Sequence, residues 1–169
     1  MKKEGLLVKK KFTPQNDNTN TLPNEPGIYI ICTKQKNKLP ESMLNLEYKY
    51  FKNLPVVYLG ISINLHRRIR NHFRGSARNS SFRKSLGNLL GYKEKRHYYN
   101  DGKYRFTNEY ELLITQYIED SFIAYYFTCQ NYRNYESRLI DKYNPPLNLD
   151  INHNIINAEF REWLEEQRK

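Results

Sequence analysis

Cysteine is nearly missing from this chain of 169 residues. Cys32 and Cys129 are its 2 thiols, both in apolar strand-like runs, so no disulfide framework and no thiolate metal cluster is spelled out. The 4 histidines (His66, His72, His97 and His153) are scattered without metal-ligand spacing, which argues against a zinc site. No apolar run approaches the roughly 20 residues of a spanning helix, which argues against a membrane partner. The lysine-rich start holds only Gly5-Leu6-Leu7-Val8 as an apolar patch, shorter than the roughly 7–15 residues at the heart of a secretory signal. These absences lead us to expect an intracellular, reduced, cytoplasmic protein. No internal repeat occurs either. Acidic residues are also short, 18 Asp and Glu against 28 Lys and Arg, for a formal charge of +10. That deficit points to an anionic partner, and 15 tyrosines suit a surface that stacks and hydrogen-bonds as well as attracts. The length is that of one domain.

What is present is most informative in residues 56–73. A β-branched and aromatic run at 56–59 has strand character, Gly60 punctuates it, and Asn64 can cap a helix whose apolar positions Leu65, Ile69 and Phe73 recur every four residues. At helical spacing Arg68 and His72 fall beside that stripe, aimed toward the protein body and the strand carrying Tyr58. Arg67, Arg70 and Arg74 form a basic ridge on another face, suited to a phosphate backbone.

Residues 1–25 read as a basic and polar arm, with residues 13–26 a loop or loosely attached leader. Pro26-Gly27 releases into a first strand, residues 28–32, with Tyr29 and Ile31 on one side and Ile28 and Ile30 on the other. Residues 33–54 are too long and polar for a simple hairpin and read as an insertion, with a helical turn or two near residues 43–51. Residues 75–106 form a second insertion. In it Ser80 caps a helix bearing Phe82 and Leu86, with Arg83 and Lys84 off its apolar stripe. Asn100-Asp101-Gly102 then suits a small hairpin.

A helix over residues 108–120 should bury Tyr110, Leu113, Ile114, Tyr117 and Ile118. An apolar strand follows at 122–128, central by its composition. In a helix over residues 132–143, Glu136 falls among apolar neighbours, and a carboxylate out of water needs a compensating cation or hydrogen bonds. An arginine such as Arg68 is one such partner and a divalent metal another. Asn144-Pro145-Pro146 stops that helix and Asn148 returns toward the sheet. Residues 151–169 end in a helix docked on the same domain through Ile156, Phe160, Trp163 and Leu164.

Tyr29, Tyr58, Arg68, His72, Glu136 and Asn148 together can support phosphodiester hydrolysis, which needs a proton acceptor, a cation for the pentavalent phosphate and help for the leaving oxygen. Their order, Gly27-Ile28-Tyr29, Tyr58-Leu59-Gly60, Arg68, His72, Glu136 and Asn148, resembles the signature of the GIY-YIG endonuclease superfamily across residues 26–150. The resemblance implies an α+β fold, a three-stranded antiparallel sheet flanked by helices. It implies a nuclease using one divalent metal ion, Mg2+ or Mn2+, on nucleic acid, DNA in preference to RNA. By the same resemblance Glu136 would hold the metal, Arg68 the scissile phosphate, and Tyr29 and Tyr58 would line the site, with His72 and Asn148 in support. Which tyrosine takes the proton is left open. The chain departs from the pattern in its long gap between Tyr29 and Tyr58, in the extra residues 75–106, and in Ile61, where some members carry a lysine. Arg67, Arg70, Arg74, Arg78, Arg83 and Lys84 are the candidate nucleic-acid contacts. The competing readings are a binding module that keeps the fold without cutting, and a structural domain whose Glu136 only pairs with Arg68.

Overall fold

The computed structural model describes residues 10–169. Within them the chain forms strands β1 (Lys10–Phe12), β2 (Gly27–Thr33), β3 (Tyr50–Phe51), β4 (Leu54–Ser62), β5 (Arg96–Tyr98), β6 (Tyr104–Phe106) and β7 (Phe122–Thr128). The helices are α1 (Leu65–Arg74), α2 (Ser81–Leu89), α3 (Asn108–Ser121), α4 (Glu136–Tyr143) and α5 (Ala158–Arg168). One antiparallel sheet runs in the order β1-β7-β2-β4-β3, and β5 and β6 pair apart from it as a hairpin.

The α+β class is as expected, but the sheet has five strands where three were anticipated. The three anticipated strands are its middle, β7-β2-β4, with β2 at the centre. The added edges come from segments read as polar. β1 lies in the presumed arm, where Phe12 is buried in the core and pairs with Ala124. Leu22 of the presumed leader is buried too. β3 lies in the first insertion and reaches only Leu54 and Pro55 of its neighbour. A single anchoring side chain is enough to seat so short a strand, and polar neighbours hide it from a composition reading. Residues 1–9 of the presumed arm lie outside the described residues.

Alternation along β2 sorts the core as expected. Tyr29 and Ile31 join the cluster covered by α1, α2, α3 and α5, through Leu65, Ile69, Phe73, Phe82, Leu86, Ile114, Ile118, Phe160 and Leu164. Ile28, Ile30 and Cys32 join the opposite cluster, covered by Ile140 of α4. The long gap before Tyr58 does not disturb pairing, for Tyr29 lies opposite Gly60 and Ile31 opposite Tyr58. The register then slips at Ile31/Cys32, skipping Val57, so Val57 and Tyr58 both pack on the helix-rich side.

Several helices differ from expectation. α3 buries Glu111, Ile114, Ile118 and Ser121, while Leu113 is exposed. The helix has turned about its axis because Glu111 finds buried partners. Its carboxylate accepts the backbone N–H of Ala77 at 2.9 Å and of Phe106 at 3.0 Å, and the Arg83 Nη2 and Nε donors at 2.8 and 3.2 Å. Arg83 is fully buried. The expected helix at 132–143 is a 3₁₀ turn, Tyr132–Asn134, followed by α4, so Glu136 is a first-turn residue. In α5, Phe160, Arg161 and Leu164 are buried, whereas Trp163, and Ile156 just before the helix, are exposed. Arg161 replaces them inside because it reaches Asn144 Oδ1 at 3.1 Å and the Ile156 carbonyl at 3.0 Å. No described helix is long and apolar enough to cross a membrane.

Candidate active site

Tyr29 and Tyr58 come from the adjacent strands β2 and β4, with ring centroids 6.3 Å apart, and each bears electrostatically on the other. Gly60, directly across from Tyr29, makes room for that arrangement: a Cβ there would lie 2.4 Å from the Tyr29 hydroxyl. Any side chain at 60 would push the phenol away.

His72 is placed by α1, whose N-cap Asn64 accepts the Arg67 N–H at 2.9 Å, as the sequence suggests. The imidazole is buried, with Nε2 2.8 Å from the Tyr29 hydroxyl and Nδ1 2.7 Å from Ser80 Oγ. Burial pulls its pKa down to about 3, with Arg68 and Arg83 adding to the effect, so the ring is neutral at ordinary pH. Ser80 is the N-cap of α2 and its Oγ accepts the Arg83 N–H at 3.1 Å. Ser80, His72 and Tyr29 thus form an unbroken chain of side-chain hydrogen bonds, and the Tyr58 ring lies beside its Tyr29 end.

Glu136 reaches the tyrosines from the other side of the sheet by way of an open strand edge. Because β3 pairs with β4 no farther along than Pro55, the Val57–Leu59 edge of β4 is left to the loop after α4, which fills it. Leu147 N–H donates to the Val57 carbonyl at 3.1 Å. The Asn148 amide accepts the Leu59 N–H at 3.0 Å and donates to the Leu59 carbonyl at 2.8 Å, as a neighbouring strand would. One donor and one acceptor of the amide are used in this way, so Asn148 ties the loop after α4 to β4 while it lines the cavity. The result is a cavity of about 260 Å³ lined by Tyr58, Ser81, Glu136, Asn148, Asp150 and Arg168, among others.

Among the described residues, no ion pair or hydrogen bond engages the half-buried Glu136 carboxylate, and Arg68 does not pair with it. Burial raises the Glu136 pKa. No group of three or more His, Cys, Asp or Glu side chains converges among the described residues. A sparse oxygen donor set of this kind fits a hard, hydrated cation that takes its remaining ligands from water and phosphate.

Arg68 is exposed rather than turned into the core. It lines a groove of about 380 Å³ with Arg67, Asn71, Arg78, Lys84 and Lys103, and Ser81 belongs to both groove and cavity. Its charge still reaches the site. Burial raises the pKa of Tyr29, with Tyr58 adding, and Arg68 opposes; burial raises Tyr58 and Arg68 is the largest opposing influence. Lys84 is held below the usual lysine range by burial and by Arg168, Lys103 and Arg96, a crowding of like charges.

The structure divides the other expected contacts. Arg67 and Arg70 are exposed, and Arg67 lines the groove. Arg74 is ion-paired with Glu119 and donates to the Pro14 carbonyl at 3.1 Å. Arg78 bonds Asp101 at 2.8 Å and stacks on Tyr99, its guanidinium 3.9 Å from the ring centroid. Arg83 has no surface to offer a phosphate, a correction whose cause is Glu111: the pair is buried together. Sequence reasoning missed Ser81, Lys103, Asp150 and Arg168. Ser80 was legible as a cap, but nothing local marks it as the partner of His72.

A family model described as a GIY-YIG catalytic domain matches residues 27–169. Comparison with curated proteins and with solved structures found no match.

Proposed function

The chain belongs to the GIY-YIG catalytic domain family, and from that premise we propose that it is a divalent-metal-dependent endonuclease hydrolysing phosphodiester bonds in nucleic acid, DNA in preference to RNA. The observation that carries the reading is Glu136, a half-buried carboxylate without an ion-pair or hydrogen-bond partner among the described residues, lining a cavity with Tyr58 beside a groove rich in cations. A carboxylate is costly in that position unless a cation joins it. The crowded cations around Lys84 are likewise relieved by a polyanion.

Glu136 would hold the ion, Mg2+ or Mn2+, with Asp150 the other carboxylate lining the cavity. When bound, the metal supplies Lewis-acid polarisation of the phosphate and a hydrated ion near the leaving oxygen. Arg68 is assigned the scissile phosphate, since its planar fork matches two phosphate oxygens.

The hydrogen-bond chain has a direction that supports one tyrosine over the other. Ser80 Oγ already accepts the Arg83 N–H, leaving its proton for His72 Nδ1. A neutral imidazole accepting at Nδ1 carries its proton on Nε2 and donates it to the Tyr29 oxygen. The Tyr29 O–H is then free to donate to Tyr58, which lowers the Tyr58 pKa. Tyr58 is thus the receiving end, facing the cavity. Its oxygen positions the attacking water, and its phenolate, favoured by Arg68, removes the proton.

A plasmid-nicking assay with Mg2+ or Mn2+ on wild type, Arg68→Ala and Glu136→Gln tests the reading. We expect cleavage in wild type and a loss of about 10²–10³-fold in Arg68→Ala, with Glu136→Gln at background. Equal activity in all three preparations would mark a contaminant and end the enzyme reading.

A further inference from the structure

Arg168 is a further cation at the cavity. It follows Leu164, the buried anchor of α5, by one helical turn, and it lines the same cavity as Tyr58, Glu136 and Asp150. Among the described residues it forms no ion pair, although two carboxylates line the cavity with it.

Its position is held by the hairpin of the second insertion. The Tyr104 hydroxyl of β6 donates to the Arg168 carbonyl at 2.8 Å and accepts from Asn88 Nδ2 at 3.0 Å. Arg96 of β5 donates to the Gln167 carbonyl, and its guanidinium lies 4.5 Å from the Tyr104 ring centroid. The last carbonyls of a helix have no partners within it, and water ordinarily satisfies them. Here protein side chains do, so the end of α5 is gripped at a defined height above the cavity. That grip fixes the backbone from which Arg168 reaches the cavity. Arg168 also bears electrostatically on Tyr58 of the cavity, on Lys84 of the groove and on Tyr104 of the hairpin. Arg68 lies in the groove on the far side of Ser81, the residue that lines both hollows.

We propose, resting on the nuclease reading above, that Arg168 contacts the phosphate flanking the scissile one on the same strand, and that Tyr104 is the positioning residue that aims it. The hairpin of residues 96–106 then acts on substrate through α5 as well as through its own basic residues. A strand that spans Ser81 meets Arg68 on one side and Arg168 on the other.

The experiment measures binding of an end-labelled DNA duplex to the full chain by fluorescence anisotropy, with Ca2+ in place of Mg2+, between 50 and 200 mM salt. It compares wild type, Arg168→Gln, Tyr104→Phe and Lys142→Ala, the last an exposed lysine of α4 that lines neither cavity nor groove, with melting temperature recorded for each. Arg168→Gln keeps much of the aliphatic stem, so folding is preserved while the charge is lost. We expect the log–log salt slope of Arg168→Gln to fall by about 0.9, one phosphate contact, with Tyr104→Phe shifted in the same direction and Lys142→Ala matching wild type. A wild type that binds DNA but cuts none with Mg2+ or Mn2+ would defeat the nuclease reading, and the slope comparison would still decide the phosphate contact. An unchanged slope in folded Arg168→Gln, with wild-type cleavage intact, would overturn the Arg168 contact alone. A wild type without any DNA binding overturns both.

Discussion

Glu111 and Glu136 are the same side chain in opposite circumstances. Glu111 is 6% exposed and saturated, both oxygens engaged by two backbone amides and the Arg83 fork. Glu136 is half-buried and engaged by nothing in the described protein, although it shares its cavity with Arg168. The first pair closes on itself and ties α2, α3 and the β5–β6 hairpin into one wall. The second leaves charges of both signs desolvated and unspent, which is the condition for capturing a metal and a phosphate. A buried ion pair stabilises when every lone pair is used, and an unfinished one reserves its electrostatics for a ligand.

Replacing each carboxylate by its amide should separate the two regions most sharply. Glu136→Gln is expected to drop metal-dependent cleavage by at least about 10³-fold, roughly 4 kcal/mol of transition-state stabilisation, without lowering the unfolding midpoint. Glu111→Gln is expected to do the reverse. Arg83 would be left buried without its counter-charge, at a cost of about 3–5 kcal/mol, lowering the melting temperature by roughly 10 °C. Turnover per folded molecule should stay near wild type. A loss of stability in Glu136→Gln, or a loss of turnover with stability intact in Glu111→Gln, would erase the distinction.

A smaller effect comes from Gly60. Alanine there sets a methyl 2.4 Å from the Tyr29 hydroxyl, against a ring held by His72 and Tyr58. Cleavage should fall about 10- to 100-fold, within the range assigned to misaligned groups, while far-ultraviolet circular dichroism is unchanged. Wild-type turnover in Gly60→Ala would remove the Tyr29–Tyr58 contact from the mechanism.

The most gradual effect is the pH response of the hydrogen-bond chain. His72 has a folded pKa of about 3 against about 6.5 in the unfolded chain. Between those values the unfolded state binds the extra proton, so stability is full above about pH 6.5 and is lost as pH falls toward the folded value. The slope approaches about 1.4 kcal/mol per pH unit. Denaturant titrations of wild type and His72→Gln across that window should differ in slope by this amount. Parallel curves would place the imidazole in water. Above neutrality the sign concerns Tyr58, whose pKa is raised, so cleavage should climb with pH as the phenolate fraction grows.

Elements whose signals are local were legible in the residues. Asn64 and Ser80 cap their helices because a side-chain oxygen needs only an amide two or three residues ahead. Asn100-Asp101-Gly102 turns the β5–β6 hairpin, with Gly102 at a φ of 78°. Tyr29 and Ile31 share a face because a strand alternates. The misreadings are just as particular. Leu113 and Glu111 compete for the inner side of α3, and hydropathy favours the leucine. Glu111 wins because Arg83, 28 positions away, arrives with its donors. Trp163 and Arg161 compete in the same way on α5, and Asn144 decides for the arginine.

The order of the three central strands and of the main helices, the motif residues and the excess of positive charge were therefore set by the chain on its own, since none of them needs a distant partner to be read. Which charges remain available was decided by the fold. Arg68 and Arg83 are chemically identical and lie near each other in the chain, yet one borders an open groove and the other is sealed against Glu111. Desolvation and pairing depend on what distant segments bring to the same place, and no local pattern carries that information.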